Sequence, residues 1–298
     1  MTEVQTGTGN RRSPAAAGRS PWRDAAAHLG RNRAAMAGLA TLGVLAVLSV
    51  AVPALSPYPI DEIFWDAIGT GPSLAGGHLF GTDANGRDLL LRTLYAGRIS
   101  LAVGLAASVV SVLVGLAWGT VSGYFGGVTD SLMMRFVDIL YALPFMFFVI
   151  LLMVYFGRHV VLIFVAIGLV EWLDMARIVR GETLSIKRRE FVEAARAMGA
   201  PSMGIVLRHV IPNVVGPVAV FATLTVPRAI LFESFLSFLG LGIQEPMTSW
   251  GVLISEGATQ METQPWALVF PATFLAATLF SLNFLGDGLR DALDPKVR

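Results

Sequence analysis

Four ionisable side chains interrupt stretches that are otherwise apolar: Glu171 and Asp174 in one, Arg228 and Glu233 in another. A charge held away from water is costly unless it is paired or lines a polar path. These four residues are therefore candidates for a buried ion pair or for contact with a polar cargo. Asp174 and Arg177, three residues apart, have the spacing of a local pair on one helix face. Glu171 and Arg228 form a longer-range candidate, which needs helix tilt or a distortion at Pro227 to bring them level. A second group is the run EFVEAARAM from Glu190 to Met198. Its spacing puts Phe191, Ala194, Ala195 and Met198 on one helical face and turns Glu190, Glu193 and Arg196 toward the other. Gly199 ends that helix, Pro201 suits the first turn of a second short one, and Ile211, Pro212 and Asn213 read as the turn back toward the next apolar run. Two adjacent alanines offer a low-relief surface that the groove of another protein accepts closely. An interfacial helix lying on lipid headgroups is the competing reading.

Groups for catalysis are missing. The sequence contains no GxxxxGK[ST] loop to cradle nucleotide phosphates, so ATP hydrolysis is not expected on this chain. His28, His78, His159 and His209 are scattered, and neither HExxH nor GxSxG occurs. Cysteine is absent, which removes disulfides, thiolate metal sites and a cysteine nucleophile. No catalytic residue and no metal site is assigned, and the chain is read as a non-enzyme.

The elements that must position these residues follow from composition. Of 298 residues, 54% are hydrophobic and 14% charged, where a soluble domain carries about a quarter charged. Mean hydropathy is +0.65. Twenty-two basic residues against 21 acidic ones leave a net charge of +1, which excludes a nucleic-acid binder. A bilayer core about 30 Å thick needs roughly 20 apolar residues per helix. Six such runs are present: Ala34–Leu55, Ile99–Tyr124, Leu132–Phe156, Val160–Val179, Val214–Leu241 and Pro265–Leu285. They are continuous rather than alternating, which favours helices over a barrel. The expected fold class is an all-α membrane protein with six transmembrane helices. Small residues stud the second run (Gly104, Ala106, Ala107, Ser108, Ser111, Gly115, Gly119), as in a helix that others approach closely; glycine is also simply common in membrane helices.

The first run is longer than the apolar region of a secretory signal and is read as an uncleaved first span. Arg11, Arg12, Arg19, Arg23, Arg31 and Arg33 precede it. Counting Lys and Arg with that tail inside puts 17 in cytoplasmic segments and four (Arg87, Arg92, Arg98, Arg158) outside, a positive-inside bias that places both termini in the cytoplasm. The chain then divides into a basic cytoplasmic tail (1–33), a first transmembrane helix (34–55), an extracytoplasmic loop (56–97) and a five-helix core (98–298). The core includes a cytoplasmic segment at about 181–212. No internal repeat is evident.

EAARAMG (193–199), followed nine residues after Gly199 by HVIP (209–212), resembles the EAA loop of ABC importer permeases; His209 stands where the family pattern has an aliphatic residue. HLFGTDANGRDLLLRTLYAGRISL (78–101), ALPFMFFVILL (142–152), ARIVRGETLSIKRREF (176–191), SFLSFLGLGIQEPMTSWGVLISEG (234–257) and NFLGDGLRDALDP (283–295) are similar to the peptide-importing branch, closest to the second, C-type permease subunit of oligopeptide importers. Most of 78–298 is covered.

The resemblance implies a type I ABC importer permease fold in the bacterial cytoplasmic (inner) membrane. It implies one half of a heterodimeric pore completed by a homologous permease, driven by two ATPase subunits that bind ATP and Mg, and served by an extracytoplasmic peptide-binding protein. No cofactor is implied on this chain. By the same resemblance Glu193, Ala194, Ala195 and Gly199, with Phe191, Met198 and Pro212, form the coupling helix that docks on the ATPase. The loop before the second span and residues 244–264 would receive the binding protein or brace the other permease. Dipeptides, nickel or glutathione are alternative cargoes. A gradient-driven secondary transporter is the competing class, and a membrane-embedded enzyme a more distant one.

Overall fold

Where backbone N–H and C=O groups meet no water they must bond within the segment, and apolar chain therefore folds as helix. The computed structural model describes residues 21–157 and 160–293. Among these residues there are eleven α-helices, and the only β-pairing is two isolated bridges, Ser73 with His78 and Thr82 with Asp88. In chain order the helices are α1 (Pro21–Leu29), α2 (Arg33–Leu55), α3 (Leu89–Phe125), α4 (Gly127–Ala142), α5 (Phe145–Phe156), α6 (Val160–Ile186), α7 (Glu190–Ala197), α8 (Ser202–Ile205), α9 (Ile211–Phe238), α10 (Trp250–Thr259) and α11 (Pro265–Leu293).

Four continuous helical stretches are long and apolar enough to cross a bilayer: Arg33–Leu55, Leu89–Phe125, Ser202–Phe238 and Pro265–Leu293. The pair α4–α5 makes a fifth if taken as one broken span, bent by 85°. That bend corrects the expectation of an unbroken run from Leu132 to Phe156. Pro144 lacks an N–H and disfavours helical geometry in the residue before it, and Leu143 sits extended at ψ 131°. The helix α6 is 27 residues long, but Glu171, Asp174 and Arg177 punctuate it.

The central element is α3, 37 residues long and so roughly 55 Å at 1.5 Å per residue. It starts ten residues earlier than the apolar run alone suggests, because Asp88 caps it by accepting from the Leu91 N–H at 2.8 Å. The small residues expected to permit close packing do so against α6. A side chain on Gly115 would bring its Cβ to 2.5 Å from Met175 Cγ, and one on Gly123 to 2.8 Å from Thr183 Cβ. On its other side α3 meets α9, where Ser108 Oγ donates to the Ala222 carbonyl at 3.1 Å. Buried Val103, Ala107, Ile163, Ile167, Ala229 and Leu236 fill the junction of the three helices.

The two ends of α3 carry different superstructures. At the Leu89 end stand the 56–88 loop and α10; at the Phe125 end stand the 187–205 segment and its short helices.

Candidate functional site

At the Phe125 end, α7 is capped by a Schellman arrangement. The Ala200 N–H donates to the Ala195 carbonyl at 3.1 Å and the Gly199 N–H to the Arg196 carbonyl at 3.0 Å. Gly199 sits at φ +80°, a left-handed conformation that costs a side chain roughly 1–2 kcal/mol. Val192 and Ala195, one helical turn apart, point inward and pack with Tyr124, Ile186, Ile205, Val206 and Val210. Lys187 Nζ lies 5.6 Å from the Tyr124 ring centroid and Arg196 Cζ 6.0 Å from it.

The adjacent alanines therefore part company. Ala195 is 3% exposed and belongs to the protein's own core, which corrects its placement on the outward face. Ala194, Phe191 and Met198 remain on the surface with Glu193; Met198 is 82% exposed. Sequence reasoning passed over Val192. Apolar residues at 191, 192, 194, 195 and 198 span too wide an arc for periodicity to choose between two stripes.

The expected turn at Ile211–Asn213 is not there. The chain turns at Met198–Pro201 and then runs as one continuous helix from Ser202 to Phe238. A π-turn at Val206–Val210 relaxes the backbone ahead of Pro212, and the Ile211 N–H reaches five residues back to Val206. Pro212, in the first turn of α9, has no N–H to place, so the helix continues through it.

Midway along α6 and α9 lies a cavity of about 820 Å³ lined by Trp118, Leu140, Tyr141, Glu171, Trp172, Asp174, Arg228 and other residues of α3–α6 and α9. Here the pairing differs from the sequence expectation. Arg228 Nη1 pairs with Asp174 Oδ2 at 3.5 Å, and the Tyr141 hydroxyl donates to Asp174 Oδ1 at 2.9 Å. Arg177 instead reaches across to Asp138 at 2.7 Å and lies 4.3 Å over the Tyr141 ring. Glu171 lines the cavity but makes no ion pair with Arg228. Depth does not decide this: at 1.5 Å per residue Glu171 lies about 17 Å and Asp174 about 21 Å from the start of α6, against about 15 Å for Arg228 from the end of α9. It is the packing of the side chains that gives Arg228 to Asp174. Asp138 was overlooked in the sequence, although a charge in an apolar run was the signal that picked out the other four.

Glu233 is fully buried where α3, α9 and α10 meet. Ser237 Oγ donates to its Oε1 at 2.6 Å, and Ser100 Oγ lies 3.4 Å from Oε2. The Trp250 backbone N–H donates to Ser100 Oγ at 3.2 Å. Serine hydroxyls satisfy this acid and tie the three helices together; it does not face the cavity of Glu171.

At the Leu89 end, Asp83 accepts from the backbone N–H groups of Asn85 and Arg87, each at 2.9 Å. Its other oxygen takes Arg87 Nε at 2.8 Å and Arg92 Nη1. The two guanidiniums continue to Glu245 at 2.7 Å and Glu256 at 2.9 Å. The hydrogen bond from Arg87 holds the Glu245 carboxyl below its ordinary range. Trp266 Nε1 donates to the Thr82 carbonyl at 3.2 Å, and Phe80 stacks on Phe270 at 4.0 Å. The loop and the 244–264 segment are thus clasped into one continuous surface at this end of α3.

The described residues thus form a helical core with a short surface helix at one end and a clasped loop at the other. The chain belongs to the family of binding-protein-dependent transport system inner membrane components, whose pattern matches residues 111–298. Residues 20–73 match the N-terminal transmembrane domain of oligopeptide transport permease C. The chain is 58% identical over 281 residues to the oligopeptide transport system permease protein OppC of Escherichia coli K12, covering 94% of this chain and 93% of that protein. It is 43% identical to OppC of Bacillus subtilis over 94% of this chain and 91% of that protein. It is also 47% identical to the dipeptide transport system permease DppC of Bacillus subtilis over 92% and 86%.

Proposed function

We propose that this chain is the C-type permease subunit of an ATP-driven importer that moves oligopeptides across the cytoplasmic membrane by alternating access. In this reading α2, α3, the bent pair α4–α5, α6, the 202–238 helix and α11 are six spans, with both termini and the α7 segment in the cytoplasm. A homologous permease completes the pore, two ATPase subunits carrying ATP and Mg drive it, and an extracytoplasmic binding protein delivers peptide to the clasped loop. High identity to oligopeptide permeases along nearly the whole chain supports the cargo.

The observation that carries the coupling is the two-faced α7. Val192 and Ala195 bind it to the protein's core, so it cannot slide freely, while Phe191, Ala194 and Met198 leave an apolar stripe for an ATPase groove. Glu193 beside that stripe meets a polar or basic partner group. Because α7 packs against Ile205 and Val206, a push on it acts on the base of the continuous helix from Ser202 to Phe238. That helix carries Arg228 into the mid-depth cavity, about 39 Å from Ser202 at 1.5 Å per residue. A displacement at the ATPase thereby reaches the cavity wall along one continuous helix.

The test is co-purification in mild detergent from the native cells. Recovery of a second permease and an ATPase pair, with the ATPases lost in a Phe191→Asp, Met198→Asp double variant that still inserts and folds, is the expected result. Transport by the purified chain alone in ATP-free liposomes driven by an ion gradient would overturn the reading.

A further inference from the structure

We propose that the mid-depth cavity is a subsite for a peptide's alkylammonium group, with the Glu171 carboxylate as its acceptor; this rests on the importer reading above. Three observations converge on Glu171. It is only 6% exposed, it lines both the 820 Å³ cavity and a neighbouring one of about 260 Å³, and among the described residues it makes no hydrogen bond or ion pair. A carboxylate so enclosed needs a cation or donors to be stable as a charge. Its neighbours donate no hydrogen bond to it: Arg228 acts on it through charge alone while pairing with Asp174, and the Tyr141 hydroxyl donates to Asp174 as well. Two acids and one arginine line the cavity, and the acid left without a hydrogen-bonding partner is Glu171.

The complement is a group with a positive charge and several N–H donors. An alkylammonium has three, and every unmodified peptide carries one at its amino terminus whatever its sequence. The walls suit such a ligand. Trp118 and Trp172 meet edge to face at 5.2 Å, and with Phe136 and Phe148 they supply broad aromatic surface that accepts varied side chains and attracts cations. The volume lies within the roughly 300–1,000 Å³ of small-ligand sites, room for part of a peptide. Holding the shared ammonium rather than a particular side chain lets one site accept many sequences.

The test uses the assembled transporter, purified without its binding protein so that the latter's own selectivity does not enter. Direct binding of tetra-alanine, N-acetyl-tetra-alanine and N-acetyl-Ala-Lys-Ala-Ala would be measured for the wild type, Glu171→Gln and Glu171→Asp. The wild type should bind tetra-alanine at least about tenfold tighter than its acetylated form, the scale of one charge-assisted hydrogen bond. Glu171→Gln should abolish that ratio and Glu171→Asp should retain most of it. Recovery of affinity by the lysine peptide assigns the site to any alkylammonium, and failure to recover assigns it to the terminus; both support the proposal. An equal ratio in wild type and Glu171→Gln would overturn it. So would failure of Glu171→Gln to assemble with the companion permease, since the cation would then belong to that subunit. The importer reading is judged separately by ATP-driven peptide uptake through the wild-type transporter with its binding protein, which can succeed while the Glu171 proposal fails.

Discussion

At the Leu89 end of α3 the flanking segments are fastened by charge: Asp83, Arg87 and Arg92 are buried and satisfy one another before reaching Glu245 and Glu256. At the Phe125 end the fastening is apolar, Val192 and Ala195 against Tyr124, Ile205 and Val206, and the charges of α7 stay in solvent. Directional ion pairs fix a register but leave few free groups. Apolar packing through one stripe holds the helix while leaving its opposite face available. The first arrangement makes a rigid platform from a Pro- and Gly-rich loop. The second holds a short helix with its opposite face exposed.

Removing a charge from the platform should have the largest effect of any single change. Arg92→Ala leaves Asp83 enclosed with one guanidinium fewer, a loss of about 3–5 kcal/mol for breaking a buried pair from one side. The expected readout is a lower unfolding temperature in detergent and rapid proteolysis between Ser56 and Gly86, with α7 still protected. Equal protection of the loop in the variant would mean that stacking of Phe80 on Phe270, not charge, holds this end. At the other end Ala195→Trp must force a large ring into a filled core, with an expected loss of about 1–3 kcal/mol and release of the ATPase subunits while insertion persists. Normal ATPase binding and peptide uptake in that variant would break the contrast, since the inward stripe would then not be what positions α7. Gly199→Val places a β-branched residue at φ +80°, where the penalty is roughly 1–2 kcal/mol. No neighbour lies within 4 Å of its Cβ position, so the effect is purely on the backbone. Gly199→Asn should recover part of the loss, measured as ATPase co-purification, because asparagine tolerates that region better.

Local rules made some helix ends legible in the sequence: Gly199 stops α7 and Pro201 marks the entry to α8, whereas the break at Pro144 was hidden inside a continuous apolar run. The same rules misread Pro212, because a π-turn upstream can absorb a proline without a bend. The hydrophobic runs located the helices, yet Asp88 moved the start of α3 well before its apolar stretch begins. Partners were the least legible part. Asp174 had a plausible neighbour at Arg177, but Tyr141, Asp138 and Arg228 come from other helices, and packing rather than spacing decides which arginine arrives first. The platform is the extreme case, since Arg87 and Glu245 are 158 residues apart. Residue patterns read the 190–199 segment correctly as a helix followed by a glycine stop. Which of its two alanines faces inward depends on Tyr124 and Ile205, which no local pattern contains.

The smallest effect should come from the outermost link of the platform. Glu245 pairs with Arg87 at 2.7 Å, but its side chain is 64% exposed, and exposed pairs contribute at most about 1 kcal/mol. Glu245→Gln should therefore lower stability by a few tenths of a kcal/mol up to about that bound, far less than Arg92→Ala. The pH dependence fixes the sign. Because Arg87 holds the folded-state pKa of Glu245 below its ordinary value, the contribution is fully present above the ordinary carboxylate pKa of about 4.3. It is lost as the pH falls through the lowered folded-state value. Unfolding of wild type and Glu245→Gln compared from pH 7 down to pH 3 should show a small gap that is constant to about pH 5 and closes with further acid. A gap as large as that of Arg92→Ala would place Glu245 inside the platform rather than at its rim.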